Sequence, residues 1–405
     1  VDHYAPERAE DAADVIKAAL ANETPLAITG RATKDALGRP VTASHGLSAK
    51  GLTGIHFYEP AELVVSLGPG TTMRELTDLL DQNGQELAFE PIDYGHLYGN
   101  EPLSGTIGGT VAINASGPRR IKSGAARDHL LGFTAVSGRG NVFQSGGRVM
   151  KNVTGYDLSK LMAGSYGTLA VLTNLTLKVL PKAEMEETLL LTGLDDATAV
   201  RVMTEASGLP HEVSSFAHLP AGTASTLDTA LSRTVALTAL RVEGPEVSVA
   251  KRKADLIEHF KALGAAFDTI DPGQSRAFWQ ALRDCEPLAG RESDIWRIST
   301  APANGAALVT ALKSNHLDPT VYYDWAGGLI WLATETPASA AATTIRDTLA
   351  PFGGHATLIR ASATARNSTP VFQPQPPALA ALTARIKTSF DPEKILNRGR
   401  MRDDL

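Results

Sequence analysis

Along the first third of the chain the apolar positions recur with two periods. Between residues 6 and 21, Ala9, Ala13, Ile16 and Leu20 follow a 3.6-residue repeat, Pro6 stands at its start, and Glu7, Glu10 and Asp11 occupy the first turns. That pattern predicts a helix, because proline fits its first turn and carboxylates suit its N-terminal dipole. An apolar strand over 26–29 follows and ends in Gly30-Arg31-Ala32-Thr33-Lys34-Asp35, a turn at a strand end. The logic repeats in a strand over 63–67, the turn Gly68-Pro69-Gly70 and a helix over 72–82. Thr72 and Glu75 have capping-box spacing, Met73, Leu76, Leu79 and Leu80 form the stripe, and Asn83-Gly84 ends it. Both turns can present backbone N–H groups to an anion.

The segment 104–117 reads as a loop entering a short helix, and 131–137 with 141–145 flank Gly138-Arg139-Gly140 as a hairpin. Apolar residues alternate over 169–179 as a strand, which Pro181 breaks. Beyond it helices are predicted near 195–206, 244–263, 275–284, 303–314 and 338–350. Strands near 186–191, 233–241, 294–299, 319–324, 328–333 and 356–360 would form one antiparallel sheet or two. Four prolines within 367–377 mark a linker before a last helix over 378–389.

Composition sharpens the division. Of the 36 glycines, 23 fall within residues 1–180, so the first part is suited to close backbone approach and the second to packing. A net charge of −6 and the lack of long basic runs exclude nucleic acid as a partner. No apolar stretch approaches the roughly 20 residues of a membrane-spanning helix. With an acidic N-terminus that lacks a leader pattern, the expectation is cytoplasmic. The single cysteine, Cys285, cannot hold an iron–sulfur cluster, which takes about four thiolates. Any such centre belongs to a partner.

No G-x-G-x-x-G opens a helix after a strand, and no P-loop motif occurs. What remains is a set of separate glycine-rich turns, through which one long ligand with a central pyrophosphate could thread. Taken singly, each is an ordinary turn.

In order, the chain reads PLAITGRATKDALG, PGTTMREL, GTIGGTVAINASGPRR, RDHLLGFTAVSGRG, GGRVMKNVTGYDLSKLMAGSYGTLAVLTNLTLKVL and finally FDPEKILNRGRM. This succession resembles the vanillyl-alcohol oxidase (PCMH-type) flavoproteins and, within them, the FAD-binding subunits of bacterial glycolate oxidases (glycolate dehydrogenases). The resemblance implies an α+β fold: a two-subdomain FAD-binding domain over 1–180, an α+β cap of antiparallel sheet plus helices over 181–377, and a segment 378–405 returning to the FAD domain. It implies FAD held non-covalently, since the histidine pattern of covalent attachment is missing and His96 is the single candidate.

By the same resemblance Gly30, Arg31, Ala32, Thr33 and Lys34 form the pyrophosphate turn, and Pro69, Gly70, Thr71 and Thr72 a second contact. Ser104, Gly105, Thr106, Ile107, Gly108 and Gly109, with Asn114, Ala115 and Gly117, line pyrophosphate and flavin. Gly167, Thr168, Leu169 and Val171 approach the adenine or ribose, and Asn397 lies near the flavin ring. The first turn carries Arg31-Ala32 where relatives keep glycines, and Arg398 replaces a proline. Lys151, Tyr156 and Asp157 lie in the stretch that carries the likeness, with a helix start beside the flavin as an equal reading.

In the cap the histidines lack metal-ligand spacing, so no metal is expected. Trp279-x-x-Leu282-Arg283 resembles the cap segment in which an arginine meets the substrate carboxylate, and pairing of Arg283 with Asp284 or Glu286 is the plain alternative. The aromatic stretch 322–331 is expected in sheet packing or a subunit contact, presented as an exposed hairpin.

The partners implied are a larger FAD-containing glycolate oxidase subunit and an iron–sulfur subunit, with possible association of the complex at the inner face of the membrane. The expected role is an electron-relaying FAD subunit in oxidation of glycolate to glyoxylate. A stand-alone FAD-dependent 2-hydroxy acid dehydrogenase using Arg283, and a scaffold with an empty flavin pocket, are the alternatives.

Overall fold

The computed structural model describes residues 2–148, 155–227, 234–290 and 292–405. Lys151 therefore lies outside the described residues, with part of the stretch around it. Two compact units emerge: Val1–Ser116, Gly124–Lys182 and Pro374–Leu405 make the first, and Gly117–Ser123 with Ala183–Gln373 the second.

The first unit holds two main sheets. In the smaller, His45–Ser48 lies between Asp2–Tyr4 and Leu26–Thr29, all parallel. In the larger, five antiparallel strands run in the order Ile55–Glu59, Val64–Leu67, Ala170–Lys178, Leu130–Ser137 and Val142–Gly146. The helix Ala9–Ala21 packs Ala12, Ala13, Ile16 and Ala19 against Leu26, Leu47, Val136 and Val171. It begins three residues after Pro6, because Asp11 accepts the Arg8 N–H at 3.1 Å and fixes the first turn there. The helix Met73–Gln82 forms as its spacing predicts: Thr72 Oγ1 accepts from Glu75 N, and Glu75 Oε2 accepts from Thr72 N. Those bonds hold the Glu75 carboxyl below its ordinary range.

The C-terminal stretch is bound into this unit. At the end of the helix Pro377–Phe390, Lys387 is buried and donates to Asp391 Oδ2 at 2.6 Å, to the Thr168 carbonyl at 2.7 Å and to the Leu396 carbonyl at 3.0 Å. Asp391, fully buried, also accepts from Ile395 N and Leu396 N. A Cβ on Gly138 would lie 2.3 Å from Asp391 Oδ1, so glycine in that hairpin makes room for the carboxylate.

The second unit is built on one eight-stranded antiparallel sheet. Its order is Ala266–Ile270, Met185–Thr192, Leu237–Gly244, Ser215–Leu219, Thr320–Asp324, Leu329–Thr334, Asp294–Ser299, His355–Arg360. Because side chains alternate along a strand, the register assigns each residue a face. Leu189, Leu240, Phe216, Tyr323, Ile330, Trp296 and Leu358 share one face and pack into a core with residues of the helices Asp196–Gly208, Glu246–Phe260, Gly305–Ser314 and Ala338–Leu349. The opposite face carries Glu186, Thr188, Arg241, Glu243, Ser215, Asp324, Arg297, Ser299, His355 and Thr357. A polar face on an antiparallel sheet is ordinary, but charges this deeply covered need partners.

Most of that charge is paired. Arg119 bonds Glu243 through both its Nε and NH2 and lies 3.7 Å from Glu186. Arg241 donates to Ser215 and lies 4.8 Å from the Trp279 ring centroid, and Ser275 donates to Glu186. Burial pushes the Glu186 carboxyl up despite Arg241.

The exposed aromatic hairpin is corrected. Tyr322, Tyr323 and Trp331 are fully or almost fully buried in two interior strands, where Tyr322 OH donates to the Leu282 carbonyl and Tyr323 OH to Asp196. It offers no surface for a partner.

Candidate functional site

The turn after Leu26–Thr29 is the centre of the site. Ala32 adopts φ +60°, a left-handed conformation that reverses the chain. Among the described residues, the amides of Arg31, Ala32, Thr33 and Lys34 donate to no protein acceptor. Successive unspent N–H groups around a left-handed residue make an anion-binding concavity. An alanine pays roughly 1–2 kcal/mol for that conformation. A glycine adopts it freely but loses more entropy on folding, so Ala32→Gly is expected to gain about 0.5–1 kcal/mol. The urea midpoint of the flavin-free chain measures it, and a lowered midpoint would contradict the left-handed turn.

Thr72 and Thr106 pair in an isolated antiparallel bridge that joins two further turns. Met73 N donates to the Gly105 carbonyl, Ile107 N to that of Thr71 and Gly108 N to that of Pro69. The short helix Ile107–Ala112 is capped by Thr106, whose Oγ1 accepts from Gly109 N at 3.2 Å. A Cβ on Gly30 would stand 2.5 Å from that same Oγ1, and one on Gly105 would stand 2.8 Å from Lys34 Nζ. Both glycines exist so that these polar groups can converge.

Lys34 aims a half-buried ammonium into this space. Among the described residues it has no hydrogen-bond or ion-pair partner, and Asp93 acts on it through longer-range attraction alone. Desolvation lowers its pKa, with Asp93 opposing. The cationic form is therefore destabilised until an anion arrives.

An open cleft runs over these groups. It is lined by Gly30, Arg31, Ala32, Thr33, Lys34, Pro69, Thr106, Gly108, Gly109, Gly167, Val171 and Asn397 from the expected set. It also takes in Ile28, Ala49, Ser165, Tyr166 and Arg400, which sequence reasoning missed. Arg400 donates to the carbonyls of Lys34, Asp35 and Arg39, clamping the far side of the turn. Its signal was weak: an arginine in a tail, 366 positions from Lys34.

Other expected residues stand elsewhere. Gly70 packs against the 49–52 turn, where a Cβ would meet the Ala49 carbonyl at 2.3 Å. Thr71 and Thr72 are occupied in the stitch of turns, Ile107 and Leu169 lie in the core, and Ala115 is buried. Ser104 Oγ donates to the Glu101 carbonyl, Asn114 accepts from Arg127 N, and Thr168 donates to the Ser165 carbonyl. Gly117 belongs to the second unit, where its carbonyl accepts from the Trp325 indole.

Asn397 lines the cleft, yet its amide is committed to the chain. It accepts from Ile28 N at 2.8 Å and donates to the carbonyls of Ile28 and Tyr166, so it joins two walls. His96 is exposed and does not line the cleft. In the second unit, Arg283 holds both oxygens of Asp284 at 2.8 and 2.6 Å, the plain alternative for that residue. Among the described residues no group of three His, Cys, Asp or Glu side chains could hold a metal ion, and no helix is long and apolar enough to cross a membrane.

Residues 4–146 match the family model described as an FAD binding domain. The chain is 34% identical over 391 residues to glycolate oxidase subunit GlcE of Escherichia coli, covering 96% of each chain. It is 28% identical over 187 residues to glycolate oxidase subunit GlcD of Bacillus subtilis, covering 46% of this chain and 38% of that one. Among solved structures, p-cresol methylhydroxylase with substrate bound superposes with a TM-score of 0.70 at 16% identity, over 99% of this chain and 88% of that one. The fold is the PCMH type, α+β, and FAD is the cofactor.

Proposed function

We propose, for a chain that belongs to the family of glycolate oxidase subunit GlcE, that it is the FAD-binding subunit of a complex oxidising glycolate to glyoxylate. FAD is bound without a covalent link, and electrons leave through an iron–sulfur subunit beside a larger flavoprotein subunit. In that reaction glycolate gives up two electrons and two protons, and the bound flavin supplies the acceptor for the hydride equivalent.

The observation that carries the reading is the convergence of unspent donors on one cleft. Four unspent backbone amides and the Lys34 ammonium meet beside the start of the helix Ile107–Ala112, where glycines leave room, and that donor set fits a pyrophosphate. Arg31 to Lys34 would hold the phosphates, Gly108 and Gly109 would let the ligand approach the helix, and Gly167 and Val171 would bound its other end. Asn397 and Arg400 act as positioning residues, since each is bonded to backbone of the cleft wall. The lone Cys285, buried in the second unit, leaves cluster chemistry to another chain.

Purified chain is expected to be yellow, to release FAD into an acid supernatant, and to turn over glycolate slowly unless co-expressed with its partners. Arg283→Ala is expected to keep most of the complex's activity, because that guanidinium serves Asp284. A thousandfold loss with assembly and flavin intact, about 4 kcal/mol of transition-state stabilisation, would instead place Arg283 on the substrate. A colourless protein that refolds yet never takes up FAD would overturn the flavin subunit.

A further inference from the structure

The helix Pro377–Phe390 is built largely of alanine, leucine and isoleucine, yet of its 14 residues Lys387 alone is fully buried. Its last turn is anchored: Ile386 and Phe390 pack on the core of the first unit, and the Phe390 ring lies 5.8 Å from that of Phe143. Its first two turns are held by little. Pro376 supplies no side-chain cap, the first turn has no carboxylate, and Arg402 donates to the Ala380 carbonyl at 3.3 Å. Isolated helices of about 12–15 residues are marginal in water, and most gain their stability from covering an apolar face.

Here the apolar face is uncovered. Leu379 is 47% exposed and Leu382 43%, and among the described residues they are the two exposed large apolar side chains that share one element. Ala378 and Ala381 are exposed beside them. Arg385 follows Leu382 by three positions and Ala381 by four, so it continues the same face by one turn. It is exposed, and its guanidinium has no hydrogen-bond or ion-pair partner among the described residues. A second copy of the chain does not supply what this face lacks, because no carboxylate stands between Asp347 and Asp391. Two such helices crossing antiparallel at the leucines would set Arg385 against the Pro376 end of the other, its positive pole; crossing parallel, they would set Arg385 against Arg385. A bilayer surface suits it no better, since helices that lie in one bury several large apolar or aromatic side chains, and here there are two leucines among alanines.

We propose that the face formed by Ala378, Leu379, Ala381, Leu382 and Arg385 docks a helix of a partner subunit, one whose apolar stripe covers the leucines and ends in a carboxylate that pairs with Arg385. The alanines let the two helix backbones approach closely, the leucines fill the groove between them, and the ion pair fixes the direction in which the second helix runs. That the partner belongs to a glycolate-oxidising complex rests on the function proposed above; the chemistry of the face does not.

The test is titration of the purified flavin-loaded full chain against the larger flavoprotein subunit and the iron–sulfur subunit, expressed as a pair without it. Wild type is expected to bind, and amide hydrogen exchange over 377–385 to slow at least tenfold in the complex. Leu379→Gln combined with Leu382→Gln is expected to weaken binding at least tenfold, with the melting temperature and FAD content of the chain unchanged, because both side chains already face water. Arg385→Glu, which leaves the leucines in place, is expected to weaken it at least tenfold by itself, and Arg385→Lys to bind nearly as wild type. Unaltered affinity in the leucine double variant or in Arg385→Glu would overturn the face and leave the complex standing. Failure of wild type to bind the pair would overturn the complex and the face together. Self-association of the wild-type chain, or its flotation with phosphatidylglycerol vesicles, abolished in the leucine double variant would give the face to a second copy or to a bilayer, and would overturn the partner helix in either case.

Discussion

Asp391→Ala is expected to destabilise the chain by about 3–5 kcal/mol, the usual consequence of removing one partner from a buried ion pair. The side chains of Lys387 and Asp391 are 3% and 0% exposed, and the lysine has been drawn below its ordinary pKa by that burial, with Asp391 opposing. Deleting the carboxylate leaves the ammonium with two carbonyls and no counter-charge, and strips acceptors from Ile395 N and Leu396 N. The consequence extends past stability. Leu396 pairs with Leu26 at the start of the strand that leads into the Gly30 turn, and Asn397 ties that strand to Tyr166. Loosening the tail should therefore weaken FAD retention as well. Equilibrium unfolding in urea, followed by far-UV circular dichroism, measures the first effect, and flavin content measures the second. Lys387→Met with Asp391→Leu is expected to recover much of the loss, because no unpaired charge remains; a double variant as unstable as the single one would point to the backbone acceptors instead.

How much of this could be read in the sequence depended on whether the signal was local. The Thr72 cap and the Gly138-Arg139-Gly140 hairpin depend on residues within a few positions of each other, and both stand where the pattern put them. Strands without alternation were not legible. His45–Ser48 is four residues between two parallel neighbours, and Ser215–Leu219 is buried throughout, its Ser215 and His218 paired across strands with Arg241 and Thr238. Ala266–Ile270 was missed for the opposite reason, as a largely exposed edge strand. Within the cleft, glycines announced the turns but did not say which face each served. Gly108 and Gly109 are adjacent and both line the cleft, yet a Cβ on the first would collide with Pro69 and one on the second would meet only Thr106 and Lys34 at ordinary distances. Arg400 and the Arg119–Glu243 pair join positions more than a hundred residues apart, and nothing short of the fold brings them together.

That difference between neighbouring glycines makes the sharpest test of the cleft. A Cβ on Gly108 would stand 2.6 Å from Pro69 Cβ and 2.8 Å from the Pro69 carbonyl, so any larger residue there forces two turns apart. On Gly109 the nearest atoms are Thr106 Oγ1 at 3.4 Å and Lys34 Nζ at 3.7 Å, ordinary contacts that the protein accommodates. Its φ is not in the left-handed region, so a side chain brings no backbone strain there. Gly109→Val is accordingly expected to fold, with its two γ-methyl groups filling the space between Thr106 and Lys34 that a phosphate would need. We expect FAD affinity to fall by at least about a hundredfold, roughly 2.7 kcal/mol, with a melting profile of the flavin-free chain close to wild type. Gly108→Val is expected to lose stability whether or not FAD is added. The ratio of flavin to protein absorbance after purification, followed by titration of the apo chain with FAD, distinguishes the two. Wild-type flavin content in folded Gly109→Val would mean that the cofactor does not pass over the start of the helix Ile107–Ala112, and that the unspent amides of the Gly30 turn serve another anion.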